Sequence, residues 1–440
     1  MSFTNNKGAR GAEALALKPL ALKPLAPLAK TLAHNKKIDI VNILNIDSAI
    51  KHLDKTKKCV FISGVTGQDG SHMVDYLLEN TDHIIFGGVR RLSVYNHINL
   101  KNVKANNRFF VINFDLTDPH VISKLMEKLQ PDYFINFAAQ SFVASSWDFA
   151  RQTWQTNSTA VLDILEAILL FKPSCRLYQA GSSEEFGNVS YIPQDEKHPM
   201  KPRSPYGASK VASRQIIKVY RDSYNLYAIQ GWLFNHEGTR RGEEFVTRKI
   251  SKNVVRIAKE MQKQNTNNDN NKYDIKYDIK YDNKYDIKPL ELGNIYAKRD
   301  WSDAEDFIEG VWKMLHQDTI NKNYNGVPDE YVFSSNETHT IKEFVELAFE
   351  SVNIFGYWSN KTEKPEDEKF YYKKMNEWGD YENTDIVLVE INPSFYRPAE
   401  VEILCGDSSR ARTELNWVPK VSFKELVKKM VNNDLHIYEN

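Results

Sequence analysis

Tyr206 and Lys210 stand four residues apart in Tyr206-Gly207-Ala208-Ser209-Lys210, a spacing that stacks them on one face of a helix. An ammonium beside a phenol stabilises the phenolate and draws its pKa down from about 10. Such a tyrosine can take the proton from a carbinol while hydride leaves the same carbon for a nicotinamide ring. YxxxK spacing is common by chance, so its neighbours decide its meaning. Upstream lies Ala180-Gly181-Ser182-Ser183-Glu184-Glu185-Phe186-Gly187. Ser182 can hydrogen-bond the hydroxyl being oxidised. Glu184 can remove a proton made acidic by an adjacent ketone and then protonate a departing hydroxyl. Simple epimerases and reductases have no use for that carboxylate. Of the two neighbouring acids, Glu184 is assigned the chemistry and Glu185 a structural place.

A third group can hold phosphate. Gly64-Val65-Thr66-Gly67-Gln68-Asp69-Gly70 follows the apolar run Lys58–Ser63 and precedes a helical pattern. Glycines three apart at a strand-to-helix turn let the backbone approach a pyrophosphate, whose charge faces the helix N-terminus. Where an NAD site carries an acid at the end of its second strand, this chain reads Gly87-Gly88-Val89-Arg90-Arg91-Leu92-Ser93. Two arginines and a serine suit a 2′-phosphate, so the expected cofactor is NADP.

The elements that must position these groups alternate. Strands are expected at 58–63, 83–89, 108–113, 133–137, 177–180 and 228–233, with helices at 117–129 and about 155–170 among others. This pattern predicts an α/β fold, a Rossmann-type doubly wound parallel sheet with a smaller C-terminal substrate-binding domain. Ligands are expected at the carboxyl ends of the strands. Residues 58–235 read as the NADP-binding domain and 236–440 as mainly the substrate domain. Residues 1–57 read as a low-complexity tail, carrying a repeated LALKP unit. Residues 262–288 read as a surface insertion built on YDIK repeats, and 358–384 as a further polar loop.

Lysine plus arginine equals aspartate plus glutamate at 58 each, so no basic field draws the chain to nucleic acid or membrane. No apolar run approaches the roughly 20 residues that span a bilayer. A cytoplasmic protein is expected. Cys59, Cys175 and Cys405 lack CxxC spacing and read as reduced core thiols; no metal site is expected.

These motifs resemble those of extended short-chain dehydrogenases/reductases, and within them the GDP-mannose 4,6-dehydratases. The likeness runs from about Lys58 to Val431, outside the insertions. It rests on GVTGQDG, VRRLS, DLTD (115–118), FAAQS (137–141), PRSPYGASK (202–210), LFNHEGTRRGEEFVTRKIS (233–251), GNIYAKRDW (293–301) and FYRPAEVEILCGD (395–407). It implies that Thr66, Gln68 and Asp69 lie in the cofactor loop and Arg91 near the 2′-phosphate. Asp115 and Leu116 would flank adenine, and Phe137, Ala138, Ala139, Gln140 and Ser141 would line the nicotinamide side. His236 and Arg241 would also meet the cofactor. Asn235, Arg248, Lys249, Arg299, Arg397 and Glu400 would hold the nucleotide diphosphate and base of GDP-mannose. A homodimer or homotetramer is implied as well.

The chain departs from that pattern in places. Ser182 replaces a threonine, Glu185-Phe186 a Leu-Tyr pair, and NHEGTRRG the usual NHESPRRG. The implied reaction oxidises C4, eliminates water across C5–C6 and reduces C6. The same chemistry on another nucleotide hexose, a 4-keto-sugar reductase, and a non-catalytic Rossmann scaffold are the alternatives. The intact set of Ser182, Glu184, Tyr206 and Lys210 speaks against the scaffold.

Overall fold

The computed structural model describes residues 43–439 apart from 93–96, 102, 104–105, 270–286, 360–363, 377, 397–400 and 402, all within the unit Val41–Asn440. The chain joins its sheet before Lys58. β1 (Ile43–Leu44) pairs in parallel with Val111–Ile112, and a short helix after it buries Ile46 and Ala49. Residues 43–57, read from sequence as tail, therefore belong to the fold. A two-residue strand is too short to leave a periodicity in the sequence.

The expected strands follow as β2 (Cys59–Ser63), β3 (Ile84–Val89), β4 (Phe109–Asn113), β5 (Tyr133–Asn136), β6 (Arg176–Ala180) and β7 (Ala228–Leu233). The second half contributes β8 (Asn235–Glu237), β9 (Leu290–Leu292), β10 (Lys298–Arg299), β11 (Trp301–Asp303) and β12 (Val332–Phe333). Beyond them come β13 (His339–Thr340), β14 (Phe355–Trp358), β15 (Lys369–Met375), β16 (Tyr381–Ile391) and β17 (Ile403–Leu404).

The main sheet has eight parallel strands in the order β1-β4-β3-β2-β5-β6-β7-β12. Side chains alternate across it, as a pleated strand buried on both faces requires. Val60 and Ile62 pack with Met73, Leu77, Phe307 and Val311 on one face. Cys59 and Phe61 pack with Ile122, Leu125, Ile164 and Ile217 on the other. The order reverses where β2 lies between β3 and β5, which opens the crevice used by ligands in such sheets.

A separate core holds the C-terminal part. It joins Ile250, Val254 and Ile257 of the helix Val246–Asp269 to Phe344, Phe349, Leu388, Leu426 and Met430. That helix runs through 262–269, so the first residues of the supposed insertion continue it. The YDIK block falls largely on 270–286 and lies outside the described residues. The polar stretch 358–384 is corrected more fundamentally, because β15 and β16 pair antiparallel within a four-stranded sheet, β14-β15-β16-β9. Phe370 and Leu388 are buried, while most of β15 is half-exposed and carries lysines, so its outer face looks like loop. Cys59 and Cys175 are buried free thiols as expected, whereas Cys405 is only half-buried.

Candidate active site

A cavity of about 610 Å³ opens at the carboxyl ends of β2, β5 and β6. Its wall includes Asp69, Phe137, Ala139, Ser141, Ser182, Glu184, Tyr206, Lys210, Asn235, His236, Arg241, Lys249 and Arg299. Residues distant in sequence meet here because the loops after β2, β5 and β6 face β8, β10 and the helix Val246–Asp269, which bring Asn235, His236, Arg299 and Lys249.

The glycine-rich loop after β2 begins at Gly64, whose φ of +67° is in the left-handed region. A Cβ there would lie 2.7 Å from the backbone nitrogen of Ala138, so only glycine lets the loop after β2 press on the loop after β5. Gly67 N–H donates to Gly64 O at 3.0 Å, and the helix Gln68–Asn80 starts at once. Asp69 and His236 pair at 3.0 Å. Burial would raise the Asp69 pKa, but His236 and Arg241 hold it well below the usual carboxylate range. Burial lowers His236 while Asp69 more than offsets it, so its pKa is raised. Gln68 Nε2 donates to His236 O at 3.0 Å. The glycine-rich loop is thus tied to β8.

Ser182 caps a short 3₁₀ turn, Ser183–Glu185. Its Oγ accepts from Glu184 N at 3.2 Å, and its own N–H donates to Glu185 Oε1 at 2.8 Å. Glu184 faces the cavity; Glu185 is fully buried and pairs with Arg214. Opposite this turn, Pro205 at the first position and Ser204 as N-cap start the helix Pro205–Tyr224, with Gly207 N–H donating to Ser204 Oγ at 3.0 Å. A Cβ on Gly207 would lie 2.6 Å from Glu184 O, so this glycine sets how closely Tyr206 approaches Ser182 and Glu184.

Tyr206 and Lys210 share that helix, with Lys210 Nζ 5.7 Å from the tyrosine ring centre. The expected lowering of the tyrosine pKa by Lys210 is not what the geometry gives. Burial pushes Tyr206 up to about 12, against a hydrogen bond with Ser182 that acts the other way. Lys210 Nζ instead donates to Ala180 O at 2.8 Å, and burial brings its own pKa down to about 8. The tyrosine is desolvated more strongly than the lysine stabilises its anion.

The remaining expected residues separate into groups. Ala138 N–H donates to Ser63 Oγ at 3.2 Å. Arg90 and Arg91 stand exposed beyond β3, and no carboxylate among the described residues pairs with either. Asp115 accepts from Thr117 N and Oγ1 at 2.9 and 2.8 Å, and Leu116 is in the core. Thr66 accepts from Asn99 through its carbonyl. Arg248 is away from the cavity wall: it is buried and pairs with Asp434 at 2.8 Å. Lys249 lies 3.9 Å from the Phe395 ring centre, and burial lowers its pKa. Arg397 and Glu400 lie outside the described residues.

Sequence reasoning missed Asn157. It sits in a π-helical turn, Gln155–Thr159, and brackets Gln140 by accepting from its N–H at 2.9 Å and donating to its carbonyl at 3.0 Å. Its Nδ2 also donates to Ser209 Oγ at 3.2 Å, which links the loop after β5 to the Tyr206 helix. A π-turn has no single-residue signature, so nothing in the sequence marks it.

A Rossmann sheet with a glycine-rich loop at its switch point and a Tyr–Lys helix facing a Ser–Glu turn has the build of an extended short-chain dehydrogenase/reductase. Solved structures share this architecture. A dTDP-glucose 4,6-dehydratase from Bacillus anthracis matches with a TM-score of 0.62 at 18% identity, over 87% of this chain and 98% of its own. A UDP-glucuronic acid 4-epimerase from Bacillus cereus matches with a TM-score of 0.63 at 19% identity, over 86% and 100%. The chain belongs to the GDP-mannose 4,6 dehydratase family, whose model matches residues 61–281 and 278–430. The GDP-mannose 4,6 dehydratase of Drosophila melanogaster is 36% identical over 392 residues, 87% of this chain and 88% of the relative. The human relative is 35% identical over 393 residues, 88% and 93%.

Proposed function

We propose that this chain is a GDP-mannose 4,6-dehydratase that converts GDP-mannose to GDP-4-keto-6-deoxymannose and water, with NADP as resident cofactor. The observation that carries this reading is Glu184, which faces the same cavity as Ser182, Tyr206 and Lys210. Oxidoreduction alone needs only the latter three; a carboxylate beside them adds elimination.

The site fits the cofactor physically. The backbone approach at Gly64 leaves the start of the helix Gln68–Asn80 open to a pyrophosphate, and exposed Arg90 and Arg91 suit a 2′-phosphate. NADP held there would supply the hydride chemistry, acceptance from C4 and return at C6. Tyr206 takes the C4 hydroxyl proton, with Ser182 holding that oxygen. Glu184 then removes the C5 proton, made acidic by the C4 ketone, and passes it to the C6 hydroxyl as water leaves. The proton that Tyr206 took from the C4 hydroxyl is returned at C5 as C6 is reduced, so the net change is loss of one water. Lys249 and Arg299 on the cavity wall supply cations for the substrate pyrophosphate.

The enzyme is further proposed to be a cytoplasmic homo-oligomer. Trp154, Leu162, Leu170, Val219 and Tyr224 stand exposed on neighbouring helices and offer an apolar face to a second copy. No helix among the described residues is long and apolar enough to cross a membrane.

The test is purified protein with GDP-mannose and no added reductant, read by mass spectrometry and nicotinamide absorbance. Loss of one water with no net change in NADPH is expected. Untouched GDP-mannose, with cofactor present, would transfer the reading to another nucleotide hexose.

A pH effect follows from Lys210. Its pKa near 8 means that the ammonium is present below that pH and lost above it. Tyr206 must be the phenolate to accept the C4 proton, and phenolate beside ammonium holds the same number of protons as the neutral pair, so kcat/KM is expected to rise with pH up to about 8 and then level off. A wild-type profile that falls as pH rises through about 8 would refute the assignment.

A further inference from the structure

Glu185 takes no part in the proposed chemistry, yet it is fully buried beside the groups that do. A buried carboxylate is costly unless it is paired and hydrogen-bonded. Glu185 is both. Its Oε2 receives Arg214 Nε at 2.5 Å, and its Oε1 accepts from Gln230 Nε2 at 3.0 Å and from Ser182 N at 2.8 Å. Arg214 also donates to Gln230 O at 2.5 Å and Glu330 Oε2 at 2.7 Å, and lies 3.5 Å from the Trp232 ring centre. Arg221 holds Glu330 from the other side at 3.0 Å. The last polar group this network grips is the backbone N–H of Ser182.

That N–H is one half of a reciprocal cap. The other half is Ser182 Oγ accepting from Glu184 N, so turning Ser182 disturbs both reactive side chains. We propose that Glu185 is a positioning residue: by holding Ser182 N it fixes the directions in which Ser182 Oγ and the Glu184 carboxylate enter the cavity. This rests on the dehydratase reading.

Three variants separate positioning from simple structural support. E185Q keeps an amide oxygen that can accept from Ser182 N, and retains most of kcat. E185L leaves Arg214 short of a partner and loses both thermal stability and kcat. In E185L/R214M the half-paired buried guanidinium is gone, Met packs on Trp232, and Arg221 still pairs with Glu330, so the melting temperature recovers. Its kcat stays at least about tenfold below wild type, with KM within about twofold and cofactor content unchanged.

Wild-type kcat in a double variant of wild-type stability would overturn the proposal, as would equal losses in E185Q and E185L. Wild-type protein inert toward GDP-mannose but active on another nucleotide hexose sinks only the substrate assignment, and the variants are then assayed on that sugar. Inertness toward every nucleotide hexose overturns both.

Discussion

Glu184→Gln is expected to lower dehydration by at least about 10³-fold while leaving cofactor and GDP-mannose binding close to wild type. The amide has nearly the shape of the carboxylate, so the turn at Ser182 keeps its cap, which uses the backbone of residue 184 and the side chain of Glu185. What is lost is both a base for C5 and an acid for the C6 hydroxyl. Proton transfer from the C4 hydroxyl to Tyr206 does not need Glu184. Mixing the variant with GDP-mannose should therefore give a rise in reduced-nicotinamide absorbance with no dehydrated product. Normal turnover would remove Glu184 from the mechanism.

Tyr206→Phe is expected to cost a similar factor but to fail one step earlier. The ring remains to fill its buried place, so stability should change by only about 1 kcal/mol, the worth of one hydrogen bond. No group then receives the C4 proton, and reduced nicotinamide should not appear at all. The two variants have similar overall rates and opposite absorbance signatures, so one stopped-flow comparison distinguishes them. If Tyr206→Phe still produced the transient, another base would have to act at C4.

Much of the site was legible because its parts lie in contiguous motifs at strand ends. The loop from Gly64 to Gly70, the Ser182–Glu185 turn and the Tyr206–Lys210 pair are local patterns, and short buried strands announce themselves by apolar runs. What escaped depends on distant partners. The Asp69–His236 pair spans the two halves of the chain, and Arg248 turns to Asp434 near the C-terminus. The pKa of Tyr206 followed burial, which neighbours in sequence do not report. The β15–β16 hairpin was hidden by the lysines along its outer face, since a sheet solvated on one side tolerates polarity that a buried sheet does not.

The eighth strand of the main sheet has a consequence for how the chain can be made. β12 pairs with β7 through Val332↔Trp232 and Phe333↔Leu233, so the edge of the N-terminal half of the sheet is closed by residues synthesised about a hundred positions later. Until they emerge, β7 presents an unpaired, mostly apolar edge, the kind of surface that recruits strands from other molecules. A polypeptide stopped near residue 235 would hold the glycine-rich loop, the Ser182–Glu185 turn and the Tyr206–Lys210 pair, yet lack His236 and the strand that covers β7. The main sheet is therefore completed from both ends of the chain, and its β7 edge is covered only once the later half has been made.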